Sequence, residues 1–598
     1  MPGISTNRLR CDAAKAYLDG LSQANPVRNL YCYIARTTSW IPQDDVNENQ
    51  IVNDNSPPFS TDDDALIYNV WKEMFHVKKI SPTDCTLAIK RYNWTKNQVY
   101  RQYDTSIDFF DPLISLVPMY VVTDEFNVYK CLYNNFNQPS FVKPTGTFIN
   151  SVRTSDGYIW KFMYNISSQD IEKFVTNEWI PVKTLTIADN SPQWSVQQAA
   201  IPGALSVINV ENSGFGYITP PTITITGDGQ NASAICTIQN GSIKSIILVN
   251  SGENYTFANV SVSSGQITGI QVTNPGSGYI SPPTVTITGG GGSGATAVSN
   301  ITNGSVTSIQ MTNVGQDYTS TPTVIISDPN SGITAKGNPI ISGGASLTAI
   351  ISPPGGHGSN PVYELGGFTG MFTGKFLYDE NKVFTVNNDF RRIGLLLNPI
   401  DVKTNQIALK TIYTQAYTLQ LSTNVTGIFS QDEHVSGLTT GTQGIVLDYD
   451  SVNFILRVIS VSGSGFVPGE LIANSDTSHM GKLETSSGLV MDTGFSQVRI
   501  SGIDPASTNQ YVGYQIRIVG GTGVNQQKTI LANDATTKIV TVDSDWQIPL
   551  DTTSVYSIAN IFTPELKKNS GSFLTVENRQ PIIRSENQAE SFAITVQF

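Results

Sequence analysis

Between residues 203 and 318 the chain repeats itself on a glycine frame, and this periodicity limits its possible folds more than any other feature. Gly203, Gly241, Gly265 and Gly304 are each followed nine positions later by Asn212, Asn250, Asn274 and Asn313, and fourteen later by Tyr217, Tyr255, Tyr279 and Tyr318. An apolar trio lies between each glycine and its asparagine: Leu205, Ile208 and Val210, then Ile243, Ile246 and Leu248, then Ile267, Ile270 and Val272, then Val306, Ile309 and Met311. The last two members of each trio stand two apart and share one face of a strand, whereas the three-residue step before them breaks the alternation and predicts a bulge. A second strand follows each tyrosine. Pro220-Pro221-Thr222 leads into Ile223 and Ile225, Pro282-Pro283-Thr284 into Val285 and Ile287, and Pro322-Thr323 into Val324 and Ile326. Proline is tolerated at the first position of a strand, where its missing donor does least harm. The second copy departs from the pattern, with Ala258-Asn259 before Val260. Asn240-Gly241 and Asn303-Gly304 each divide two strand-like runs and carry the chemistry of a two-residue hairpin turn. One copy alone would bury too little apolar surface, so the four are expected to stack into one elongated β array over 203–350.

The remaining sequence divides around that array. A chain of 598 residues points to about four folding units. Residues 1–202 hold most of the tryptophans (Trp40, Trp71, Trp94, Trp160, Trp179 and Trp194) and the clearest helix, where Asp62, Asp63 and Asp64 precede Leu66, Ile67, Val70, Trp71 and Met74 at helical spacing. Those acids suit a helix N-terminus and lack the alternating ligands of a calcium loop. A Pro/Gly-rich joint, Pro353 to Gly367, opens a continuation of the core over 351–422. Two small β modules follow, 423–491 and 492–561, and the core ends with 562–598, whose Phe592, Ile594, Val596 and Phe598 alternate as a terminal strand does. The expected fold class is mainly β with minor helix, a multi-domain β-sandwich core carrying the inserted array and the two modules.

Composition and motif content narrow the chemistry. Lys plus Arg number 36 against 48 Asp plus Glu, a net charge of −12 that disfavours a phosphate-neutralising surface, so no nucleic-acid partner is expected. No stretch reaches the length of a membrane span, and Met1 to Arg10 has no apolar core behind a basic start, which predicts a protein made in the cytoplasm. Cys11, Cys32, Cys85, Cys131 and Cys236 are odd in number and unpaired in spacing, as expected of thiols rather than disulfides or a zinc site. His76, His357, His434 and His479 share no ligand spacing. The run Gly289-Gly290-Gly291-Gly292-Ser293-Gly294 lacks the Lys-Ser ending of a phosphate loop and reads as a strand connection. Asp448 and Asp450 read as turn residues rather than a hydrolytic pair. No catalytic, cofactor-binding or metal-binding residue is nominated, no cofactor is implied, and no enzymatic activity is expected.

Several segments resemble one known family. Glu577-Asn578-Arg579-Gln580-Pro581-Ile582-Ile583 is similar to an ENR-x-PII segment, Asp156-Gly157-Tyr158-Ile159-Trp160-Lys161-Phe162 to a DGY-aliphatic-W run, and Thr176-Asn177-Glu178-Trp179 to the TNE-aromatic that follows it. Pro58 to Trp71 and Lys90-Arg91-Tyr92-Asn93-Trp94 resemble two earlier segments of the same family, in the same order. The family is the dimeric baseplate wedge subunit of T-even-type contractile-tailed phages, the gene product eight family, here in a long form resembling cyanophage tail proteins through its β insertions. The resemblance implies a two-domain β core and a homodimer in the virion's tail baseplate. It also implies contacts with other wedge subunits, including the elongated wedge scaffold and the pin-bearing trimer, and no catalysis. The competing expectation is a glycan-binding or receptor-binding tail adhesin presenting Tyr217, Tyr255, Tyr279 and Tyr318 from the array.

Overall fold

Short β-branched runs punctuated by Gly, Asn and Pro give a computed structural model with 46% strand and 8% helix, a mainly β, multi-domain fold. The structure describes residues 4–23, 27–40, 52–111, 114, 116–263, 265–318, 320–377, 380, 389–501, 507–583 and 588–598. Two units divide the chain: Met1–Ala13 with Leu87–Thr369 and Phe598, and Ala14–Thr86 with Gly370–Gln597.

The first unit contains the aromatic region and the array. Strands Tyr120–Val122, Asn127–Tyr133, Ile159–Asn165 and Val152–Arg153 form one sheet in that order. Tyr100, Tyr129, Tyr158, Trp160 and Phe162 are buried together, with Trp94 packed against them. Tyr158 stacks on Trp160 at 5.5 Å, and Tyr100 meets Trp160 edge-on at 5.5 Å, the offset and T-shaped arrangements that aromatic quadrupoles favour.

In the array the copies pair instead of stacking in series. Tyr217 N–H donates to Gly241 O and Tyr255 N–H to Gly203 O, so copies one and two bond reciprocally; Tyr279 N–H to Gly304 O and Tyr318 N–H to Gly265 O do the same for copies three and four. Each pair encloses its own core, one around Ile208, Tyr217, Ile243 and Ile246, the other around Ile267, Ile270, Tyr279, Val306, Ile309 and Tyr318. A sixth strand completes each pair. Gly343–Ile351 lies against Leu205–Phe215 in the first, and Lys336–Ile341 against Ile267–Asn274 in the second. The second body is therefore inserted within the first, because its strands all lie between Ala258–Val262 and Gly343–Ile351. The physical reason for pairing is that one copy supplies only two or three strands, too few to enclose a tyrosine.

The bulge expected from the three-residue step occurs in every copy. Leu205 faces Ile351 while Val207 faces Ile350, and the same slip separates Ile243 from Ser245, Ile267 from Gly269 and Val306 from Ser308. The repeated asparagine has its own task. Asn212, Asn250, Asn274 and Asn313 each accept, through Oδ1, the N–H of the residue two positions on at 2.9–3.0 Å. That residue is always glycine, with φ of 62–65°, a left-handed turn in which a Cβ on Gly214 would sit 2.6 Å from Gly343 O.

The second unit is built on a five-stranded sheet in the order Ile412–Thr414, Met74–Lys79, Leu30–Ala35, Phe390–Leu397 and Ser572–Ile582. Every residue of Leu30–Ala35 is buried, as a central strand covered on both faces requires. Tyr31 and Tyr33 point to one side, where helix Asp64–Glu73 contributes Leu66, Val70 and Trp71. Cys32 and Ile34 point to the other, against Phe372, Phe376 and Phe592. Asp63 caps the helix by accepting Leu66 N–H at 2.7 Å, the capping role read from the sequence. Phe592 lies on Glu590–Gln597, the expected terminal strand, which neighbours Thr369–Phe376.

The two β modules are present, with a shifted boundary. The first is a seven-stranded sheet drawing on Tyr417–Gln420 through Met480–Lys482 and completed by Ile561–Phe562. Ser486–Thr493 straddles the expected boundary between 491 and 492 and opens the second, a closed six-stranded barrel that ends with Val555–Ala559. Barrel closure leaves no free edge, and this strand is needed to close it.

Two outcomes follow from the array. Tyr279 is buried, its hydroxyl donating to Ser327 O at 3.1 Å and accepting from Ala335 N–H at 2.9 Å, so Tyr279→Ala should destabilise the array by about 3 kcal/mol or more in a melting experiment. Ser352 N–H donates to Ala204 O at 2.8 Å, so replacing 205–351 with a short Gly/Ser linker should leave a soluble, cooperatively unfolding protein. Aggregation at every linker length would show instead that the array belongs to the core.

Candidate functional site

The Pro/Gly joint is a packed turn, not an open linker. Gly355, Gly356 and Gly358 have φ of 93°, 89° and 88°, and a Cβ on Gly356 would lie 2.6 Å from the backbone of Ile201. Only glycine allows this path. The turn delivers His357 into the interior and leads into helix Pro361–Leu365, whose first turn carries Glu364. Asn360 caps that helix by accepting Tyr363 N–H at 3.1 Å.

Four segments meet around these residues. Ser206, the extra residue of the first array bulge, places Oγ 2.6 Å from His357 Nε2. Glu364 accepts Lys130 Nζ at 3.0 Å through Oε2 and Gly358 N–H at 2.7 Å through Oε1. His357 Nδ1 lies 3.4 Å from Glu364 Oε2, but without hydrogen-bond alignment. Tyr103 closes the group, its ring edge-on to His357 at 4.8 Å and beneath Lys130 Nζ at 4.0 Å. Burial lowers the pKa of His357 to about 4, and the charges of Lys130 and Lys161 add to the effect. Burial opposes ionisation of Glu364, but Lys130 and His357 outweigh it and hold the carboxyl at about 2. Burial also lowers Lys130 and Lys161.

Serine, histidine and glutamate in this order suggest a nucleophile with its base. The electrostatics oppose that chemistry. Glu364 is already committed to Lys130, and an imidazole held near 4 is a poor proton acceptor at neutral pH. What the cluster does physically is tie the first array strand, the joint and the aromatic sheet through a buried, charge-compensated network, which is costly to break by removing one member.

The other residues weighed from the sequence stand apart from this cluster. Asp448 pairs with Arg457 at 2.5 Å, and Asp450 accepts the N–H groups of Val452 and Asn453 at 3.0 Å, a salt bridge and a turn. His76 meets Glu380 at 3.2 Å and His479 meets Glu433 at 2.7 Å. Gly289–Gly292 joins strands Thr284–Thr288 and Ser293–Thr302. Tyr217, Tyr255, Tyr279 and Tyr318, the residues an adhesin could present from the array, are all buried. Sequence reasoning missed the Ser206 and His357 contact. Its only visible trace was a polar residue at the bulge, and its partner lies 151 positions away.

The segments that resemble the wedge family pair in space within each unit. Asn578 donates through Nδ2 to Pro58 O at 3.1 Å and through its amide to Ser60 Oγ at 3.2 Å. Arg91 donates from its amide to Glu178 O at 2.7 Å and from its guanidinium to Thr176 O at 2.9 Å, while Lys90 lies 4.1 Å over the Trp179 ring. No protein-family model matches the chain, and no curated protein matches it in sequence.

A pH dependence follows from His357. The unfolded histidine binds a proton near pH 6.5 and the folded one near 4, so between these values the unfolded state holds more protons and stability falls as pH falls. The loss reaches about 3 kcal/mol. The contribution of Glu364, present above 4.5, is lost between 4.5 and 2. Chemical unfolding at pH 7 and pH 4.5 should show a smaller acid loss for His357→Gln than for the unchanged protein.

Proposed function

We propose that this chain is a structural subunit of a phage tail baseplate wedge, a homodimeric scaffold that links neighbouring wedge proteins during virion assembly in the host cytoplasm. The observation that carries this reading is the mutual contact of the family-like segments: the 577–583 segment meets the Pro58 to Trp71 segment across more than 500 positions, and Lys90-Arg91 meets Thr176 to Trp179. Residues that hold a framework together in this way are those whose identity a shared framework would preserve. The remaining length lies in inserted domains whose first and last strands pair with each other, which lets a common core carry extra contact surfaces. The acidic balance agrees with protein partners rather than nucleic acid.

Sedimentation of the purified chain should give a dimer at micromolar concentration, and co-expression with the other wedge components of the same phage should recover a joint complex. A stable monomer that recovers none of those components would overturn the reading.

A further inference from the structure

Beside the root of the array lies a polar cleft of about 270 Å³. One wall is strand Leu205–Phe215, which contributes Asn209 and Glu211; the other is the aromatic region, which contributes Arg101, Gln102, Asn134 and Phe136. Gln102 Nε2 donates to Asn209 Oδ1 at 2.9 Å and joins the two walls.

The turn on the aromatic side is strained in an informative way. Asn135, Phe136 and Asn137 are consecutive left-handed residues, with φ of 49°, 60° and 58°. Asparagine tolerates that region, but phenylalanine does so only under constraint. The constraint is visible: Asn134 Oδ1 accepts Asn137 N–H at 3.1 Å, Asn134 Nδ2 donates to Tyr100 O at 3.0 Å, and Asn135 Nδ2 donates to Asp156 O at 3.0 Å. The result is a phenylalanine ring held 51% exposed at the cleft, edge-on to Tyr133 at 5.9 Å. Strain of this kind is retained where a side chain must be presented. On the same wall, Arg101 has a buried Nε with no acceptor among the described residues.

A sugar ring has an apolar C–H face and a rim of hydroxyls that both donate and accept. The cleft offers the complement, an exposed aromatic ring surrounded by planar amides, two carboxylates and a guanidinium. Its acids, Asp104 and Glu211, offset Arg101 and disfavour a phosphorylated ligand. Its volume is below the roughly 300–1,000 Å³ of sites for drug-sized ligands and suits one pyranose unit. We propose that this cleft binds a neutral saccharide, with Phe136 under the ring and Glu211 and the amides on its hydroxyls. The inference is independent of the wedge reading and of the buried array tyrosines.

Saturation-transfer NMR of the full chain with glucose, galactose, mannose and N-acetylglucosamine tests it. At least one of the four should give pyranose signals. Phe136→Gly should weaken that binding at least tenfold without lowering the melting temperature, since glycine adopts the left-handed turn freely. Glu211→Gln, a change on a strand surface, should weaken it as well and keeps the test valid if the glycine variant misfolds. Absence of signal with all four sugars, or binding that both variants retain in full, would overturn the proposal.

Discussion

Antiparallel pairing between the first and last strands of each inserted segment is the constraint on which the architecture rests. Leu205–Phe215 pairs with Gly343–Ile351, Ile267–Asn274 with Lys336–Ile341, Tyr417–Gln420 with Ile561–Phe562, and Ser486–Thr493 with Val555–Ala559. Each pairing returns the chain to the place it left, so the host domain experiences an insertion as a short local excursion. Closing even a long excursion adds little entropy, about 0.6 kcal/mol per doubling of its length. Each insertion has a core of its own, around Ile208, Ile270, Leu456 and Tyr556, and the first module also lends Leu447 and Ile459 to the host core.

Within the array the same logic operates on a smaller scale. A tyrosine amide in one copy bonds the glycine carbonyl of the other, so a single copy leaves both groups unpaired, and buried backbone groups without partners are expensive. Copies therefore complete one another two at a time. The Asn-x-Gly turn sets the end of each long strand, and the collision a Cβ would cause there explains why glycine recurs at that position in all four copies.

Bulges also aim side chains. The bulged residue is Ser206 in the first copy and Lys244, Thr268 and Thr307 in the others, yet only Ser206 lies at the root of the array, where His357 receives it. A periodic packing device thus acquires an electrostatic task at one of its four occurrences. The network beyond it holds the carboxylate of Glu364 and the ammonium of Lys130 away from water, stable because each charge compensates the other. The same strand, three and five residues on, supplies Asn209 and Glu211 to the saccharide cleft, so the anchor also fixes one wall of that cleft.

The sequence by itself determined the strand content, the capped helix at Asp63, the repeat and its bulge, because each is written in local periodicity or turn chemistry that acts over a few residues. It also located the Pro/Gly joint and the two modules, within a few residues at the boundary near Ser486. The pairing of copies, the nesting of one array body inside another, the contact between Ser206 and His357, and the cleft beside Phe136 were decided only by the tertiary structure. These depend on partners dozens to hundreds of positions apart, and the spacing of residues along a chain carries no record of which distant strand will lie alongside. The strained turn at Phe136 shows the limit most plainly: asparagines on either side made it possible, but only the fixed contacts of Asn134 and Asn135 to Tyr100 and Asp156 hold the phenylalanine in it.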